Sequence, residues 1–443
     1  MRYVVDLHSH SGYAGGVGNI SLEGVADAMA AKGINAFGVG DCLQPAWRQT
    51  LADTLEAKEP GLYALRGAEG ARQAARFVLQ TEIIITSPVR SGGRKGTHVV
   101  LTFPDFRAVD KAIGLLRGWE VKIDMGRPFV KCLDTDDVAE KCSALMAIDP
   151  TVMIIPAHVL TPQGVFGSDH PVDSLAEVFG GFAARIRAVE TGLSSDPELL
   201  AILPELDDKT LISNSDCHSG ALNRVGREFT VLEVDAPSYP DIVAGINAGK
   251  VIYTAEFNPA EGRYFLTGHK PGLERHGKAY CYYSPDRTPP DGLCPICGKA
   301  LTIGVLERAL YLSKIQSPAG EARIPGETPA RQRGVRLVPL VEVIAAGTGT
   351  KNVSGKKVLA LFAQVISRVG TETTLWEMTP DEIEHELTAY IPDAALRAIL
   401  AVRSGDFSFQ PGFDGEYGGL RLGKRIDWFG HEKVVREPRL SRP

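Results

Sequence analysis

Eight strong metal-ligand side chains fall at the ends of successive β-strand patterns, and this recurrence restricts the fold more than any other feature of the chain. They are His8 and His10 in DLHSH, Asp41 in GVGD, Glu82 in LQTEI, His98 in THVVL, His158 in IIPAH, and Asp216 and His218 in SNSDCH. Imidazoles and carboxylates so far apart in sequence can meet only if the strands lie side by side with equivalent ends together. Such a gathering suits divalent ions that make water reactive. A single His at a strand end is more often a hydrogen-bonded surface or core residue than a ligand. Here, however, His8 and His10 stand two apart and face the same side of an extended segment, and Asp216 and His218 repeat the spacing. Glu82 interrupts the apolar run of Val78, Leu79, Ile83, Ile84 and Ile85, where an unpaired carboxylate is costly.

Apolar spacing predicts strands over 3–7, 34–39, 77–86, 97–103, 152–156, 186–190, 211–214 and 251–254. Helices are predicted over 22–32, 107–117, 173–184, 197–206 and 238–248. Alternation of this kind implies an α/β fold with a parallel sheet. Ligands at so many strand ends favour the mouth of a closed barrel, a distorted TIM-like (β/α)7 unit over residues 1–255. Glu190 in AVETG reads as a carboxylate supporting a ligand from behind. Cys42 and Cys217 read as small buried core thiols.

After residue 255 the character changes. Cys294-Pro-Ile-Cys297 followed by Gly298 is half of a zinc knuckle, with two thiolates spaced for one structural zinc, so 256–315 reads as a small zinc-knuckle-like domain. Cys281 stands alone as a third thiolate, and His269 and His276 are the nearest candidates for a fourth ligand. Residues 316–443 read as a mainly helical C-terminal region. It comprises a Pro, Gly and Arg-rich linker or substrate-facing loop over 319–334, then helices over 356–369 and 380–403, the second opened by a Thr379–Glu382 capping box. Gly349 to Lys357 lacks the spacing and the Ser or Thr of a phosphate-binding loop, which argues against an NTPase.

With 443 residues, of which 44% are hydrophobic, the chain can build a large core. It shows no leader-like start and no membrane-length apolar run, so a soluble cytoplasmic protein is expected. Seven cysteines with one close pair suit a reducing compartment. The net charge of −6 argues against whole-molecule attraction to nucleic acid. Three local clusters point the other way: Arg90, Arg94 and Lys95; Arg323, Arg331, Arg333 and Arg336; and Arg421, Lys424 and Arg425. Phe407, Phe409, Phe413 and Tyr417 are candidate stacking groups for an unpaired base.

The segments DLHSH, LQTEI, THVVL, IIPAH, VETGLSSDP and LISNSDCHS resemble the PHP (polymerase and histidinol phosphatase) superfamily, and within it the endonuclease Q family. The later blocks CPICGKALTIGVLERA and PGFDGEYG carry the resemblance over nearly the whole chain. It implies a PHP barrel and a metal-dependent endodeoxyribonuclease of DNA repair. Such an enzyme nicks damaged DNA on the 5′ side of deaminated bases (uracil, hypoxanthine, xanthine) or abasic sites. The alternatives are a phosphatase of small phosphomonoesters and a non-catalytic DNA-binding scaffold.

Two or three divalent ions, Zn, Mn or Mg, are implied. His8, His10, Glu82 and Asp216 would surround one, Glu82 would bridge to a second held by His98 and His158, and His218 would belong to a third. Asp216, His218 and Glu82 would carry catalysis, and Arg94, Lys95, Arg331, Arg333 and Arg421 would contact DNA. Loop 160–169 would read the base edge. In the knuckle the resemblance favours His269 as the ligand beside Cys281, with 271–278 inserted. Gln44 stands in GDCLQP where the family carries a His, which leaves three readings: a weakened third site, none, or one held partly by Asp41. No protein partner such as a sliding clamp is legible in the sequence.

Overall fold

The computed structural model describes residues 1–436 apart from 19, 91, 273–275, 319 and 423–427. Residue 319 of the expected linker, 273–275 of the expected insertion, and Lys424 and Arg425 of the third basic cluster lie outside the described residues. Among those described, no helix is long and apolar enough to cross a membrane.

The fold is mixed α/β around one large sheet. The centre of that sheet is parallel: Arg2–Asp6 lies beside Ala36–Gly38, which lies beside Arg76–Pro88. Helix Leu22–Lys32 makes the first crossover, burying Leu22, Val25, Ala26 and Met29, and Gly33 ends it at φ 81°. A Cβ on Gly33 would collide with Thr373 Oγ1, so dihedral and packing both demand glycine there.

The flanks of the sheet are antiparallel, which corrects the expected all-parallel arrangement. Arg94–Phe103 runs against Arg76–Pro88, and Met153–Pro156 runs against Arg94–Phe103. On the other side Phe229–Glu233, outside the expected set, runs against Arg2–Asp6 and Val251–Glu256. The physical reason is clearest after Pro88. Gly92 and Gly93 adopt φ of 89° and 83°, turning the chain back on itself with no helix between the two long strands. Ala188–Glu190 and Thr210–Ile212 form a separate parallel pair.

The C-terminal half interleaves with the N-terminal one. Strand Gly334–Arg336 extends the main sheet beside Val251–Glu256. Glu432–Val435 joins Thr267–His269 and Tyr280–Tyr283 in a small sheet. The expected helix over 380–403 is two helices, Pro380–Leu387 and Asp393–Arg403, because Pro392 cannot continue the first. The capping box at Thr379 is present. A hairpin, Phe407–Gln410 with Gly419–Leu422, follows the helices. One hydrophobic core runs from Leu22 to Phe413 across the expected segment borders, and a buried Lys32–Glu372 pair at 3.1 Å ties the first helix to the C-terminal helices.

Candidate metal centre

Strand register brings the first ligands together. Glu82 lies opposite Val100 and His98 opposite Ile84 in the long hairpin, so Glu82 and His98 are diagonal neighbours on one face, and His98 Nδ1 sits 2.7 Å from Glu82 Oε1. His158, just past strand Met153–Pro156, places Nε2 3.3 Å from the same oxygen. A bridge between Ser9 and Cys217 draws the extension of the first strand to the Asp216 loop. There His10 Nε2 lies 3.2 Å from Asp216 Oδ1 and 3.5 Å from Glu82 Oε2. His8 Nε2 is 3.6 Å from Glu82 and 3.7 Å from Asp216.

Three groups of ligand atoms result: His8, His10 and Glu82; Glu82, His98 and His158; and His10, Asp216 and His218. Glu82 is common to two of them. His8 Nε2, His10 Nε2, Glu82 Oε2 and Asp216 Oδ1 are all buried without a hydrogen-bond partner. Orphaned nitrogen and carboxylate oxygen at one place are what divalent cations require, so these residues fit such ions.

The surroundings orient these atoms. Glu190 is buried against His8 Nδ1 at 3.0 Å and also accepts from the His158 amide and Asn214 Nδ2. Thr161 Oγ1 meets His158 Nδ1 at 2.6 Å. Asp41 takes hydrogen bonds from the Ser11 amide and hydroxyl and faces His10 Nδ1 at 3.3 Å; it belongs to none of the three ligand groups and stands behind His10 instead. Gln44 is absorbed elsewhere: it caps helix Pro45–Thr54 by accepting from the Trp47 amide. The third group therefore forms without it. Asp41, His158 and Asp216 all adopt left-handed backbone, with φ of 49°, 31° and 46°. This strain is concentrated where the side chains must converge. Gly192, in the segment VETG, leaves room for His158, whose Cβ would collide with any side chain there.

Burial disfavours the charged form of His8, but the Glu190, Asp216 and Glu82 carboxylates outweigh it and raise its pKa to about 10. His10 rises to about 9 against the same penalty, through Asp216, Asp41 and Glu82. Burial pushes His98 and His218 down despite Glu82 and Asp216 respectively. Glu82 is buried, yet His98, His158 and His8 hold it well below the usual carboxylate range.

The groups open onto a cleft of about 680 Å³ lined by Glu82, His98, His158, Asp216 and His218. Loop residues Thr161 to Gln163 form part of its wall, and so do Arg127, Arg224, Arg227, Arg263 and Tyr417. Sequence reasoning missed these four arginines, because each stands alone outside any charge run; Arg127 comes within 3.8 Å of Glu82.

The expected DNA contacts are placed elsewhere. Lys95 is a correction: it is fully buried, and its ammonium is spent on the carbonyls of Pro162, Gly167 and Asp169, so it holds loop 160–169 and cannot reach a phosphate. Arg94 is likewise spent on the Thr86 and Cys132 carbonyls. Arg331 pairs with Asp207, Arg333 sits over the Tyr253 ring, and Arg421 donates to Gln410; none of the three lines the cleft. Phe407, Phe409 and Phe413 are core, whereas Tyr417 is exposed at the cleft.

In the knuckle, His269, His276, Cys294 and Cys297 converge, with Cys294 Sγ 3.3 Å from His276 Nε2 and Cys297 Sγ 3.5 Å from His269 Nδ1. Gly298, at φ 73°, makes the turn behind the two cysteines. Cys281 lies outside this set, with its sulfur 3.6 Å from that of Cys294. Nothing in the spacing distinguished His276 from Cys281 as a donor.

No family model matches the chain. It is similar to the uncharacterized protein YqxK of Bacillus subtilis, 26% identical over 436 residues, covering 95% of this chain and 99% of that one. An uncharacterized Methanocaldococcus jannaschii protein is 31% identical over 255 residues; that match spans 56% of this chain and only 30% of the relative. The lesion-specific endonuclease PfuEndoQ from Pyrococcus furiosus superposes with a TM-score of 0.74 at 26% identity, covering 95% of this chain and 96% of that one. Endonuclease Q in complex with a 27-mer duplex carrying an abasic lesion superposes with a TM-score of 0.77 at 27% identity, covering 95% and 97%. The chain is thus similar over nearly its whole length to solved endonuclease Q structures. The ligand groups, the knuckle and the C-terminal hairpin of this chain fall within a fold that those structures share over nearly their full length.

Proposed function

We propose that the chain is a metal-dependent DNA endonuclease that nicks the strand on the 5′ side of a deaminated base or an abasic site. The observation that carries this reading is that orphaned ligand atoms of Glu82 and Asp216, backed by those of His8 and His10, meet Arg224, Arg227 and Arg263 in one open cleft, in a chain that superposes over 95% of its length on an endonuclease Q bound to a lesion-bearing duplex.

Divalent ions held by the His8, Glu82 and Asp216 groups would supply a nucleophilic water and neutralise phosphate charge. The residues around them do the rest. Glu190, Asp41 and Thr161 fix the rings of His8, His10 and His158 from behind. His218, its Nδ1 turned to the Asp216 carbonyl at 2.8 Å, keeps Nε2 for the ion that the His10, Asp216 and His218 group would hold. Loop 160–169, anchored by Lys95, forms the wall against which an extruded base would be read, since damaged bases cost least to unstack. The strand ends that carry the ligands act as the mouth of a distorted PHP-type barrel. His269, His276, Cys294 and Cys297 would hold a structural zinc. Seven cysteines with no disulfide among them suit a reducing cytoplasm.

The test is a nicking assay on duplexes containing uracil, hypoxanthine or an abasic site, with and without manganese. Incision 5′ of the lesion is expected. Intact oligonucleotides beside rapid turnover of a phosphomonoester would replace this reading with a phosphatase.

A further inference from the structure

We propose that the cleft contains a second phosphate-binding position, apart from the metal residues, built by Arg224, Arg227, Arg263 and Tyr417, and that it takes a DNA phosphate neighbouring the one cut. This rests on the endonuclease reading and deepens it: the substrate must present at least two successive phosphates.

Arg227 is the first observation. Only 6% exposed, it still lines the cleft. Its Nε donates to the Ser215 carbonyl at 2.8 Å and its Nη2 to the Asp216 carbonyl at 3.5 Å, while Nη1 is buried with no partner. A buried guanidinium N–H without an acceptor is costly, and an arriving anionic oxygen removes that cost. The two bonds it does make fix the plane of the guanidinium, so little further freedom is lost on binding.

The second observation is charge. Among the described residues no carboxylate lies within ion-pair distance of Arg224, Arg227 or Arg263, whereas Arg323, Arg331 and Arg336 all pair with acids. The nearby Glu261 makes no ion pair with the group, and burial, reinforced by Glu342, pushes its carboxyl well above the usual range against the pull of Arg227 and Arg224. Three like charges on one wall repel until an anion joins them. Tyr417 sets their spacing: the Arg263 guanidinium lies 5.2 Å and that of Arg224 5.8 Å from the ring centre. Arg263 is further pinned by donating to the Gly415 carbonyl at 2.8 Å.

The position belongs to a polymer and not to a single phosphate, which the metal groups already serve. The experiment compares the wild type with Arg263→Ala, Arg224→Ala, Arg224→Lys and Arg227→Lys. It measures nicking of a lesion duplex, equilibrium binding of the same duplex against salt, and hydrolysis of bis(p-nitrophenyl) phosphate, a diester with one phosphate. Arg263→Ala and Arg224→Ala should each raise KM for the duplex roughly tenfold with a smaller change in kcat. The ratio of duplex to small-diester kcat/KM should fall accordingly. The slope of log affinity against log salt should drop by about one per contact removed. Arg224→Lys should restore part of the loss. Arg227→Lys, which keeps charge but loses the fork, should lower the same ratio, with circular dichroism confirming the fold. If the wild type nicks and the alanine variants match it in KM and salt slope, the second position is wrong and the endonuclease reading stands. If the wild type cleaves the small diester but neither binds nor nicks lesion DNA, both are overturned.

Discussion

The cleft cluster gathers ligands from residue 8 to residue 218 into the wall of a continuous core, whereas the knuckle draws all four of its donors from between His269 and Cys297 and rests on a cluster of Cys281, Tyr283, Cys294 and Leu301. The first is pre-shaped. Strand pairing and buried hydrogen bonds from Glu190, Asp41 and Thr161 aim its rings whether or not an ion is bound. The second rests on a small apolar cluster of its own, so a metal held there would add folding energy. Long-range donors thus accompany a cluster that the fold shapes, and short-range donors one that a bound ion would shape.

The largest effect that could break this contrast is loss of the shared ligand. Glu82→Ala should lower lesion nicking by more than about 100-fold, beyond the cost of a lost supporting hydrogen bond, while thermal stability changes little. Collapse of the fold in that variant would show that the cluster is not pre-shaped.

Next is Glu190→Ala, which leaves every ligand in place but frees His8 Nδ1. A loss of about 10- to 100-fold in activity or metal affinity is expected, measured by titrating manganese against nicking rate. An unchanged metal dependence would mean that the carboxylate merely fills space.

On the knuckle side, Cys294→Ser should remove one bound zinc per chain and expose residues 267–302 to protease, while the cleft ions stay. Cys281→Ser should keep the zinc, since its sulfur lies outside the four converging donors. Elemental analysis and limited proteolysis decide both, and zinc loss in Cys281→Ser would move the ligand assignment from His276 to Cys281.

The smallest effect concerns the floor below the cleft. Burial raises the Glu228 carboxyl to about 8, and its Oε1 accepts from the Phe257 amide. A carboxyl raised in the folded state stabilises the fold fully at pH below its ordinary range, and that contribution is lost as pH rises through about 8. The thermal midpoint of the wild type should therefore fall relative to Glu228→Gln across that interval, by on the order of a few °C. Parallel curves from scanning calorimetry would refute it.

Periodicity alone marked helix 22–32 and helix 356–369 at the bounds observed, and it placed the strands that carry His8, Glu82, His98 and His158, because buried faces impose a spacing that any reader can count. The ligand residues themselves were legible for a related reason: a charged or imidazole side chain inside an apolar strand needs a partner. Strand direction was not legible. Alternation suggested parallel neighbours, but the Gly92–Gly93 turn and the register of the hairpin it closes are settled by pairing between whole strands. Charge runs were equally uninformative about the cleft. Lys95 lies in a basic run yet is spent inside the fold, while Arg224, Arg227 and Arg263 carry no run and converge. The sequence by itself determined which residues could bind metal and which segments could be helix or strand, since both follow from local chemistry and spacing. Only the tertiary structure decided which donors meet, that Asp41 stands behind His10, that Gln44 caps a helix, and which arginines face the cleft, because each depends on where distant segments come to rest against one core.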